Sequence, residues 1–123
     1  MTRSRTSAKQ AGARFERTIA DWLAWRLKDD RIDRRVKTGA KDRGDLSGLR
    51  FLGHRVTAEL KDYGGRIQAS EWLRQAEVEA GNDDSRFPVV IIKRRGVTDP
   101  AQQYVLMSTE TLARFLEGGV NDA

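Results

Sequence analysis

The chain contains no cysteine and a single histidine, His54. The first absence excludes a disulfide-stapled scaffold and any cysteine-based zinc site, and it suits a reducing cytoplasm. The second excludes a histidine-rich metal centre. Any metal must then be held by carboxylates, which favour a hard, oxygen-preferring ion. Long apolar runs are also missing: the longest, around Val89–Ile92, is far too short to span a bilayer. The basic N-terminus is not followed by the apolar stretch of a signal peptide. These absences predict a cytoplasmic protein with no membrane contact.

What is abundant is charge. Charged residues make up 33% of 123 positions, with a formal net charge of +5 and a sequence pI near 10.0. Excess lysine and arginine point to a polyanionic partner, nucleic acid first. The length suits one domain with one core. Residues 1–10 are polar and basic and read as a loose arm, leaving 11–119 as a single domain.

Periodicity then places the elements. Phe15, Ile19, Trp22, Leu23 and Leu27 recur at helical spacing between about Gly12 and Lys28. On that wheel Glu16 falls between Leu23 and Leu27, inside the apolar stripe. An inward carboxylate is costly unless it is paired or ligates something; pairing with an arginine at the stripe edge is the simpler alternative. Ile32–Lys37 reads as a strand, followed by a glycine-rich turn and a short strand from Asp45 to Leu49. Arg55–Lys61 alternates cleanly, with Val56, Ala58 and Leu60 on one face and Thr57, Glu59 and Lys61 on the other. A helix is expected from a Ser70 N-cap to a Gly81 C′ residue. Phe87–Lys93 reads as a strand buried on both faces, and Asp99-Pro100 as a turn. Tyr104–Met107 is a last strand, and Ser108 caps a final helix packing through Leu112, Phe115 and Leu116. The order αβββαββα predicts an α/β fold, a mixed central sheet flanked by helices.

Residues i and i+2 on a strand share a face, so Glu59-Leu60-Lys61 sets a carboxylate beside an ammonium. A surface ion pair would look the same, and Asp45 after Gly44 fits an ordinary turn residue. Three features in order are harder to attribute to coincidence: an inward glutamate on helix one, Gly44-Asp45 at a strand start, and E-x-K on a strand with an apolar reverse face. Two carboxylates on adjacent strands suit Mg²⁺, which takes few protein ligands and keeps several waters.

With these residues in this order the chain resembles the PD-(D/E)xK nuclease superfamily, whose helix, three strands, helix, strand core matches about 12 to 93. It looks most like the small Holliday-junction resolvases of archaea and phages. The motif residues are Glu16-Arg17 on helix one, Thr38-Gly39 before the glycine-rich stretch, Asp45, and Glu59-Leu60-Lys61; helix two, with Trp72 and Gln75, resembles phage-encoded members. Gly44 stands where the superfamily name has proline. The resemblance implies a restriction-endonuclease-like core and metal-dependent hydrolysis of branched DNA by a homodimer. Glu16, Asp45 and Glu59 would serve Mg²⁺, with Mn²⁺ able to substitute, and Lys61 the attacking water. The setting would be the cytoplasm, that of the host for a phage-encoded chain. Basic residues near Asp45, namely Arg17, Arg34, Arg35, Lys37, Lys41 and Arg43, with Thr38, are expected to contact DNA; Trp25 and Tyr104–Met107 are candidate dimer contacts. A repair nickase, a restriction-like enzyme or an exonuclease on the same core is the nearest alternative, and a non-catalytic DNA-binding module the next.

Overall fold

The computed structural model describes residues 4–37 and 39–118. Thr38, one of the expected DNA contacts, lies outside the described residues. The first helix, α1, spans Arg5–Leu27 and begins earlier than the apolar periodicity suggests. Ser4 is its N-cap: the Ser4 hydroxyl accepts from the Ser7 N–H at 3.0 Å. Residues 5–10, read from sequence as part of a loose arm, are therefore helical. The helix ends where Lys28 enters the left-handed region at φ 53°.

Among the described residues six strands follow the helix in two groups. β1 (Asp33–Arg34) and β2 (Leu46–Ser47) form an antiparallel ribbon. The expected strand over Ile32–Lys37 thus shrinks to two paired residues. β3 (Arg50–Phe51), β4 (His54–Lys61), β5 (Phe87–Ile92) and β6 (Tyr104–Leu106) form a mixed sheet in that order. β3 and β4 are a hairpin that the sequence reading did not separate. Its turn places Leu52 at φ 49° and Gly53 at φ 85°, the positive pair a tight hairpin requires. β4 and β5 are parallel, pairing Glu59 with Val90 and Lys61 with Ile92. The connection between them is helix α2 (Ala69–Asn82), giving one βαβ unit.

α2 differs at both ends from expectation. Its N-cap is Gln68, so Ser70 lies inside the first turn. Gly81 is helical, and the stop falls at Asp83, whose N–H closes onto the Glu79 and Ala80 carbonyls. The buried Asp83 carboxylate fixes that stop by accepting from Thr57 Oγ1 at 2.9 Å. The last helix, α3 (Thr109–Leu116), is capped by Ser108 as expected, the hydroxyl accepting from the Thr111 N–H. It docks through Thr111 and Phe115, while Leu112 and Leu116 stay exposed.

The sheet is covered on both faces. Ala58 and Leu60 of β4 and Val89 and Ile91 of β5 pack with Phe15 and Ile19 of α1 and with Phe115 of α3. On the reverse face Val90 and Ile92 pack with Trp72 and Ala76 of α2. Strand alternation puts Glu59 and Lys61 on this second face, so helix α2 buries them. They do not form an exposed surface pair: Glu59 is 3% and Lys61 8% accessible.

Candidate active site

The site lies at the carboxyl ends of the parallel strands β4 and β5, a common position for ligand crevices in α/β sheets. A cleft of about 990 Å³ opens there, and Glu16, Lys37, Asp45, Glu59, Lys61 and Gln75 all line it. The four residues that the sequence singles out as catalytic therefore share one concavity.

Asp45 is locked to β4 by main chain and side chain. Its N–H donates to the Ala58 carbonyl at 2.8 Å, and its Oδ2 accepts from the Leu60 N–H at 2.7 Å. The approach depends on Gly44, at φ +90°: a Cβ there would sit 2.9 Å from Thr57 Cγ2 and 3.0 Å from the Ala58 carbonyl. The Gly44 N–H also donates to Glu79 Oε1 at 3.2 Å. Proline has neither that φ nor an N–H, which gives a local reason for glycine at this place.

Glu16 reaches the cleft from α1 and is buried, as the wheel predicts. It is also paired with an arginine: Arg34 Nε donates to its Oε1 at 3.1 Å. Lys37 completes the arrangement, its Nζ 3.7 Å from Glu16 Oε2 and in contact with Asp45 Oδ1. An ammonium thus bridges the two carboxylates.

Glu59 sits deeper. Its Oε1 is buried without a hydrogen-bond partner, a costly state. Its Oε2 lies 3.7 Å from Lys61 Nζ. Burial, then hydrogen bonding and charge from Glu79 on α2, push the Glu59 carboxyl up to about 8, against the pull of Lys61 and Lys37. Lys61 donates to Gln75 Oε1 at 2.8 Å. Its Nζ also stands 5.8 Å and 5.9 Å from the Tyr63 and Trp72 ring centroids, within cation–π range. The ammonium is held by an amide and two rings as well as by its carboxylate neighbour.

Among the described residues, no three Asp, Glu, His or Cys side chains stand close enough together to hold a metal ion. The expected ligand group Glu16, Asp45 and Glu59 does not converge in this arrangement. Glu16 and Asp45 turn onto Lys37, while Glu59 turns toward Glu79. Two features nevertheless suit a cation. Glu59 Oε1 is an orphaned buried acceptor, and positive charge already lies between Glu16 and Asp45.

The expected DNA contacts divide. Lys37 lines the cleft. Arg17 is engaged by Asp21 and Asp33, and Arg34 by Glu16. Arg35 is turned inward, bonded to the Leu46 carbonyl and, at 3.3 Å, to the buried Asp83. Lys41 and Arg43 are exposed but do not line the cleft. Cations that do line it include Lys9, Arg66 and Arg95. Lys9 belongs to the basic stretch of residues 1–10 and Arg95 to the run Lys93-Arg94-Arg95 after β5, both far from Asp45 in sequence, and Arg66 stands alone.

Sequence reasoning also missed Glu79, although its position was readable. Trp72, Ala76, Glu79 and Ala80 are the buried residues of α2 and share one stripe. No protein-family profile, curated protein or solved structure matches the chain.

Proposed function

We propose that the chain is a Mg²⁺-dependent DNA endonuclease, with Mn²⁺ able to substitute, built on a restriction-endonuclease-like core. In its most specific form the reading is a homodimeric resolvase of four-way junctions, since a two-fold junction needs two symmetry-related nicks. The observation that carries it is the burial of Asp45, Glu59 and Lys61, with Glu16, in one cleft rimmed by lysine and arginine. Buried charges are costly, and a fold needing only stability would fill these positions with apolar side chains.

Asp45 and Glu59 would hold the cation, with Glu16 beside them. When bound, Mg²⁺ would polarise the scissile phosphate and acidify a water. Lys61, fixed by Gln75, offers its ammonium to orient the attacking water and to neutralise charge building on the phosphate. The hydrolysis forms one P–O bond to the water and breaks one to the sugar oxygen, which leaves with a proton.

One observation favours a non-catalytic DNA-binding module instead: Lys37 already neutralises Glu16 and Asp45. The test is incubation of the purified protein with Mg²⁺ or Mn²⁺ and matched four-way junction, flap, duplex and single-stranded DNA. Cleavage lost in Asp45→Asn and Glu59→Gln supports the enzyme. Metal-independent binding without cleavage supports the module. Cleavage of linear duplex alone removes the resolvase reading and leaves the nuclease.

A further inference from the structure

The turn after β4 places an aromatic ring and a cation side by side at the mouth of the cleft. Tyr63-Gly64-Gly65-Arg66 closes on itself through the Arg66 N–H, which donates to the Tyr63 carbonyl at 3.2 Å. Gly64 and Gly65 take φ 65° and 92°, the positive pair of a type I′ turn. Gly65 packs against the chain after β5 so closely that a Cβ would lie 2.8 Å from Arg95 Cβ. Tyr63, Arg66 and Arg95 are thereby held together, and Lys9 lines the same cleft from α1.

These cations differ from the others nearby. All three are exposed, and none of their side chains has a hydrogen-bond or ion-pair partner among the described residues. The neighbours of Arg95 are spent: Lys93 donates to the Arg94 carbonyl, and Arg94 donates to the Gln102 carbonyl and lies 4.7 Å from the Tyr104 ring centroid. Tyr63 remains 45% exposed. Its ring is backed by Trp72 at 5.2 Å between centroids.

A polyanion binds where positive charge is unneutralised. An exposed aromatic ring among such charges offers a stacking platform to a base, and only a base free of its duplex stack can use it. The cleft volume of about 990 Å³ is on the scale of a ligand site and has room for nucleotides of one extended strand. We infer that Lys9, Tyr63, Arg66 and Arg95 seat a single nucleic-acid strand, so that the substrate carries an unpaired nucleotide beside the scissile phosphate. This rests on the nuclease reading of the same cleft and favours flapped DNA over the fully paired four-way junction of its most specific form.

The test is fluorescence anisotropy in EDTA, with labelled single-stranded DNA, a blunt duplex and a flapped duplex, over a salt series. The parent should bind the single strand and the flap more tightly than the blunt duplex. Tyr63→Leu should weaken both by roughly tenfold or more, with little change on blunt duplex. Tyr63→Phe and Tyr63→Trp, which keep a ring, should bind like the parent. Changing Lys9, Arg66 and Arg95 together to glutamine should flatten the plot of log affinity against log salt by about 2, as three released strand counterions require. Equal loss on blunt and flapped duplex in Tyr63→Leu, or an unchanged salt slope in the triple variant, overturns the inference. If Tyr63→Leu fails to fold by circular dichroism, Tyr63→Trp and the triple variant decide. A parent that cleaves DNA while these variants bind unchanged refutes the strand seat alone. A parent that binds no DNA refutes the nuclease reading with it.

Discussion

Glu59 gives the sharpest quantitative expectation, because its burial has a thermodynamic sign. Its carboxyl has an ordinary value of 4.5 and sits at about 8 in the fold. Between those pH values the folded chain keeps a proton that the unfolded chain releases. Stability must then fall as pH rises, by up to about 1.4 kcal/mol per pH unit. Below pH 4.5 both states are protonated and titration contributes nothing; above pH 8 both are ionised and the loss is complete. The accumulated penalty, shared with Glu79, is at most about 5 kcal/mol, a large part of the 5–15 kcal/mol typical of a domain. Glu59→Gln keeps the shape, cannot ionise, and can still donate toward Glu79. Urea unfolding from pH 4 to pH 9, without divalent metal, should show parent and variant nearly equal at the acid end. The variant should be more stable by several kcal/mol at pH 9, or roughly 4 °C in Tm per kcal/mol. Two profiles that stay parallel across the range would refute the argument, since they would mean that Glu59 titrates alike in both states.

Three further expectations follow from the same geometry. Gly44→Ala should cost about 2–4 kcal/mol in urea unfolding, from its positive φ and the collision with β4. Arg35→Ala should destabilise by about 2–3 kcal/mol, because it strips the guanidinium from a carboxylate whose side chain is only 3% accessible. In the folded variant DNA affinity should change less than in Arg66→Ala, as anisotropy would read. Leu52→Asn should raise stability by about 0.5–1 kcal/mol in thermal unfolding, since Leu52 is 72% exposed at φ 49°, a conformation asparagine tolerates better.

Much of the framework was readable from local pattern. The helical wheel placed Glu16 between Leu23 and Leu27 on the inner face of α1; Glu16 is buried there, although Leu27 itself is exposed. The alternation of β4 separated Ala58 and Leu60 from Glu59 and Lys61, and the two sets do face different layers. The apolar run of β5 announced burial on both faces. Element ends were less legible. Ser70 and Gly81 are good capping residues by type, yet α2 starts and stops at Gln68 and Asp83. Contacts distant in sequence overrode the local preference, Asp83 being held by Thr57 and Arg35.

Sequence alone determined the alternating faces, the inward glutamate on α1, and the absence of cysteine and near-absence of histidine that leave carboxylates as the donors for any metal. These are properties of residue type and of spacing along one element, where backbone geometry fixes direction. Only the tertiary structure decided which charges meet. Lys37 falls between Glu16 and Asp45, Glu79 comes to Glu59, Arg35 turns to Asp83, and Lys9, Arg66 and Arg95 come to the cleft from distant segments. Each pairing joins separate elements, so it depends on strand order, on the βαβ crossover that lays α2 over Glu59 and Lys61, and on the Gly65 contact that brings Arg66 to Arg95. A chain reports the charge of each side chain, but its energy depends on burial and on neighbours, and those exist only in the folded molecule.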